Sequence, residues 1–133
     1  MPALIRITAA ALLALLPCLG AQAAPASQPQ PGVLTPVMAG EFALQAGQLE
    51  DAARWYLQAA RTEDDPGLAE RATRIALLAN DDVRAAEALA LWRQRAPQSL
   101  AMRSADAALA LRKGDAATAR RQLAALMRDD KPA

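Results

Sequence analysis

A repeated helix terminator constrains this chain more than any other feature. Gly47, Asn80 and Gly114 recur at a period of about 34 residues, each standing between two alanine- and leucine-rich segments. Glycine and asparagine tolerate the left-handed backbone with which helices often close. The spacing therefore predicts three helix–turn–helix units. A single unit of this size cannot bury its apolar face alone, so such units stack, and a stack acts by presenting surface.

Composition bears on how that stack is built. Apolar residues make up 53% of the chain and aromatics 3%, so helix interfaces must come from small side chains at close approach. Lys and Arg total 15 against 14 Asp and Glu. That balance carries no electrostatic footprint for nucleic acid, and no nucleic-acid partner is expected.

Residues 1–23 read as an export signal. Arg6 supplies a positive start, Ile7 to Leu16 an apolar run, and Ala21-Gln22-Ala23 a small-residue cleavage site. Cleavage is expected between Ala23 and Ala24, giving a periplasmic or secreted protein. Retention of the segment is the alternative, since Ala3 to Gly20 is just long enough to cross a bilayer, and would make the chain a membrane-tethered subunit of an envelope complex. Leu15-Leu16-Pro17-Cys18 resembles a bacterial lipoprotein box, but Pro17 stands where a small residue is usual, which argues against acylation of Cys18. If Cys18 leaves with the signal, the remaining chain has no cysteine and no histidine. No disulfide, metal or cofactor is then expected. Pro25, Pro29 and Pro31 mark residues 24–33 as a solvated linker.

The helical pattern then fills residues 34–132. Thr35-Pro36 suits a helix start, an oxygen cap followed by proline at the first helical position, and predicts a first helix over Val37 to Ala46. Further helices are expected over Leu49–Thr62, Leu68–Ala79, Val83–Arg95, Leu100–Arg112 and Ala116–Arg128, with Glu63-Asp64-Asp65-Pro66 and Pro97 to Ser99 as boundaries. The fold class is all-α: three antiparallel helical hairpins, over about 34–65, 66–98 and 99–132. Ala52, Ala85 and Ala119 allow close helix approach, while Tyr56, Leu89 and Leu123 fill the gap to the next unit.

These landmarks resemble the tetratricopeptide repeat. Its pattern is carried by Gly40, Gly47, Ala52, Tyr56 and Ala59 in the first unit, and by Thr73, Asn80, Ala85, Leu89, Trp92 and Pro97 in the second. The third offers Ala107, Gly114, Ala119, Leu123 and Leu126. The segment Glu70 to Leu77 also resembles helices of exported repeat proteins of Proteobacteria. The resemblance implies a short right-handed α-solenoid whose first helices line a concave groove. That face would carry Val37, Glu41, Leu44 and Gln45, then Glu70, Arg74, Leu77 and Leu78, then Ser104, Ala108, Leu111 and Arg112. Leucines would supply burial, and Glu41, Glu70, Arg74 and Arg112 register, for a partner's helix or extended peptide. Family members that clamp a C-terminal carboxylate do so with basic and amide residues, where this chain has Val37, Glu41, Ala101 and Ala105 and keeps only Arg71.

No catalytic constellation stands out. The acids at 63–65, 81–82 and 129–130 fall at turns or the chain end, where carboxylates cap helices and offset their dipoles. No calcium-loop spacing is present. Trp55, Tyr56 and Trp92 sit at helical spacing among apolar neighbours, as core fillers do. The chain is thus expected to be a non-enzymatic protein-binding scaffold in a bacterial envelope. A helical small-ligand binder or enzyme using the acids stays open as an alternative. No obvious polar capping helix follows Arg128, which leaves a short family member, a truncated one, or one that docks through its end, self-association through that end being one of the open readings.

Overall fold

A computed structural model describes residues 31–129. The export signal, Cys18 and the linker as far as residue 30 lie outside the described residues. Six helices follow in order: α1 (Pro31–Gln45), α2 (Leu49–Thr62), α3 (Pro66–Leu78), α4 (Asp82–Arg95), α5 (Leu100–Arg112) and α6 (Ala116–Asp129). There is no strand among the described residues.

The three periodic terminators close the hairpins α1–α2, α3–α4 and α5–α6 in one way. Gly47, Asn80 and Gly114 have φ of 73°, 56° and 73°. The amide that follows each donates back into the last turn: Gln48 to the Ala43 carbonyl at 2.8 Å, Asp81 to Ala76 at 2.9 Å, and Asp115 to Ala110 at 2.8 Å. This is the closure a left-handed residue makes possible. Asparagine accepts the strain at position 80 and uses its side chain, whose Oδ1 accepts from Arg112 Nη2 of α5 at 3.2 Å.

Short polar residues cap the starts of α3 to α6, whereas Gln48 before α2 makes no side-chain capping bond. Asp65 accepts from the Gly67 amide at 2.7 Å, Asp81 from Arg84 at 3.0 Å, Ser99 from Met102 at 3.2 Å and Asp115 from Thr118 at 3.0 Å. At Asp81 the Arg84 amide, helped by the Arg84 guanidinium, holds the carboxyl below its ordinary range. A carboxyl with a depressed folded-state pKa stabilises above its unfolded pKa and loses that contribution as pH falls through the folded value. Asp81→Ala should therefore cost about 0.5–2 kcal/mol near neutral pH. The gap from wild type should narrow in acid, as urea melts at pH 7 and pH 3 would report.

The start of α1 departs from expectation. The helix begins at Pro31, four residues before Thr35, and Pro36 lies inside it. Residues 31–33, expected in the linker, therefore belong to the first unit. The reason is tertiary. A Cβ on Gly32 would sit 3.5 Å from Thr62 Cγ2, so the extra turn lies beside the end of α2. Pro31 is as well suited to open a helix as Pro36, whose missing N–H costs one bond near the end.

Small residues let the hairpins close. Ala52, Ala59 and Ala85 have no exposed surface and Ala119 has 2%. Gly40 allows the closest approach: a Cβ there would meet two ring carbons of Tyr56 at 2.7 Å. Thr73 takes the Gly40 position in α3, fully buried, its hydroxyl donating to the Ala69 carbonyl at 2.7 Å. The largest fully buried side chains are Trp92, Tyr56, Leu89 and Thr73. Trp55, expected in the core, is only partly buried and stacks under the Arg54 guanidinium at 5.2 Å.

The units are not joined equally. Helix α2 lies closely along α3, whereas α4 meets α5 over a much shorter stretch. A cleft of about 280 Å³ opens at that second junction, lined in part by Leu89, Arg93, Asp106 and Leu109. Asp106 is mostly buried there, paired with Arg93 at 3.1 Å and accepting from Gln122 at 2.6 Å. Leu123, expected to pack against a following unit, is 46% exposed because no described helix follows α6.

Candidate functional site

The candidate surface is the face of α1, α3 and α5 that the sequence places in the groove. Its charges are largely committed within the chain. Glu41 accepts from the Tyr56 hydroxyl and is paired with Arg71, whose guanidinium lies 5.0 Å from the Tyr56 ring centre. Burial first, then the bond to Glu41, pushes the Tyr56 phenol up to about 12. Glu70 pairs with Arg74 at 2.6 Å, one turn apart on α3. These exposed pairs contribute little to stability. They do consume the charges expected to set a partner's register.

Arg112 also turns inward. It donates to the Leu77 carbonyl at 2.9 Å, which also accepts from the Asn80 amide at 3.2 Å, and pairs with Asp82 at 2.7 Å. Arg95 does the same one junction earlier, donating from α4 to the Ala60 carbonyl of α2 at 2.6 Å. Sequence reading missed both tethers. Their only signal is a base near a helix end, where it can meet unpaired carbonyls.

The leucines divide into two kinds. Leu44 and Leu77 are partly buried and pack against the core, so they are poor probes of binding: truncating them would also loosen the hairpins. Leu78 and Leu111 are 66% and 62% exposed, at the C-terminal ends of α3 and α5 that Arg112 draws together. Leu78 borders a cleft of about 480 Å³ between two hairpin turns, shared with Gly47, Gln48, Leu49 and Asn80. Glu70 and Arg74 line a separate cleft of about 300 Å³ with Gly67 and Arg71. Gln45, at the end of α1, is exposed. The expected groove thus resolves into an ion-paired part and an apolar part near the turns.

An exposed stripe on α1 was not anticipated. Leu34, Met38 and Phe42, one turn apart, are 45%, 48% and 63% exposed. The four-residue spacing was visible in the sequence, but a helix start at Thr35 left Leu34 outside it.

Among the described residues, no group of three or more His, Cys, Asp or Glu side chains is placed to hold a metal ion. No described helix is long and apolar enough to cross a membrane. The chain matches no known family and no curated protein.

Proposed function

We propose that this chain is a tetratricopeptide-like, non-enzymatic scaffold of a bacterial envelope whose stacked hairpins form a short right-handed solenoid and hold a partner's helix or extended peptide. The observation that carries the reading is the pair Leu78 and Leu111. Two large apolar side chains stand in solvent on neighbouring first-helix ends, while Arg74, one turn before Leu78, and Arg112, beside Leu111, are paired within the chain. A surface with apolar anchors and satisfied charges suits an amphipathic segment better than a highly charged ligand. The acids at helix starts bond backbone amides, which favours a structural role for them over a chemical one. Export rests on the signal-like residues 1–23 and the cleavage site after Ala23.

Leu78→Ala with Leu111→Ala should weaken partner capture from native envelope extract at least about tenfold. The helical circular dichroism should stay unchanged, because both side chains are largely exposed. A partner held equally by wild type and variant would remove the binding surface from these leucines, and an extract yielding no partner would remove the scaffold reading.

A further inference from the structure

The two ends of the stack carry the two halves of an internal junction. In α3 and α5, Ile75 and Leu109 are 5% and 4% exposed; the residue at the same position of α1 is Phe42, 63% exposed. In α2 and α4, Tyr56 and Leu89 are 1% and 2% exposed; the residue at the same position of α6 is Leu123, 46% exposed. Met38 on α1 and Met127 on α6 extend the two faces, at 48% and 74%.

At the positions of two of the internal ion pairs, the ends carry apolar residues on both sides. At the first junction Arg71 meets Glu41 and the Tyr56 ring. The residues that repeat these three positions at the ends are Met38, Ala108 and Leu123, all apolar. At the second junction Asp106 pairs with Arg93 at 3.1 Å. The repeats of that pair at the ends are Ala39 and Met127, again both apolar. Brought together in the same register, the ends place apolar residues at these two sites, while the exposed Arg61–Glu87 pair of the first junction is repeated by Arg128 facing Arg54 at the solvent-accessible edge. Arg120 is a further basic residue on the α6 face, where α2 and α4 have Ala53 and Ala86. Its aliphatic stem can lie along a junction with the guanidinium in solvent.

We propose that the α6 end of one copy receives the α1 end of a second copy, head to tail, in the register of an internal junction. The inference rests on the end faces and stands apart from the Leu78 and Leu111 surface. A head-to-tail contact uses two different patches, so it propagates unless a ring closes.

That asymmetry gives the test. Sedimentation velocity on the full chain, as its producing cell processes it, should show a mass that rises with concentration. Phe42→Glu spoils one end and Leu123→Glu the other, both at exposed positions, so each variant should keep its helicity and associate at least about tenfold more weakly. Mixed in equal amounts, the variants should restore a dimer that grows no further, because each retains the end the other lacks. A monomeric wild type overturns the proposal, and would fit an α1 face covered by residues before Pro31. A dimer lost only with Phe42→Glu would indicate a symmetric α1–α1 contact, and a mixture that stays monomeric would exclude the head-to-tail pairing.

Discussion

Trp92→Ala is expected to lower the free energy of unfolding by about 3–5 kcal/mol, measured by urea denaturation. Trp92 is 2% exposed and belongs to the core cluster formed by the hairpins. In the first unit the same repeat position is Ala59, with no exposed surface. The second unit thus concentrates at Trp92 the volume that the first places at Tyr56. Any cavity left by the indole adds a volume-dependent cost to the lost transfer energy. Small domains hold only about 5–15 kcal/mol in total, so this change would bring the fold near its limit. A loss under about 1 kcal/mol would mean that α4 repacks and that the tryptophan is not a structural anchor.

The second large effect concerns Gly40. Gly40→Ala would place a methyl 2.7 Å from the Tyr56 ring, and neither side can give way easily: one is helix backbone and the other an aromatic ring that is 1% exposed. The expected cost is about 1–3 kcal/mol. The other units show the compensation. Thr73 goes with Leu89 and Ala107 with Leu123, a larger first-helix residue beside a slimmer second-helix one. Combining Gly40→Ala with Tyr56→Leu should therefore cost less than the sum of the two changes. A double-mutant cycle on urea midpoints should give a coupling of about 0.5–3 kcal/mol. Strict additivity would mean that the glycine serves something other than room for the ring.

The parts of the fold legible in the sequence are those fixed by local chemistry. The left-handed closures at Gly47, Asn80 and Gly114 and the caps at Asp65, Asp81 and Ser99 act within a few residues, and the bounds of α5 follow from them. The start of α1 was not legible, because Pro31 and Pro36 offer equal local signals and the choice is made against Thr62, on another helix. The candidate surface was legible as a set of positions and not as a set of roles. Leu77 and Leu78 are adjacent in sequence, yet one packs against the core and the other stands in solvent. Nothing near Arg112 in sequence shows that it holds the Leu77 carbonyl and Asp82 across a unit boundary.

The uneven junctions have a further consequence for cooperativity. In a linear array, an opening event costs the intrinsic stability of what opens plus the coupling across the boundary it crosses. The core runs from α1 through α4 into α5 at Met102 and Leu109, but α5 and α6 meet the first two hairpins over a shorter stretch, reinforced by an acid–base pair and the Arg112 tether. Helix α6 itself buries a single residue, Ala119. The last hairpin is therefore expected to open at lower cost than the first two, which native-state hydrogen exchange would report as earlier exchange of the α5 and α6 amides. A partner bound across the ends of α3 and α5, as proposed, would close that boundary, and its affinity would include the work of holding the third hairpin in place.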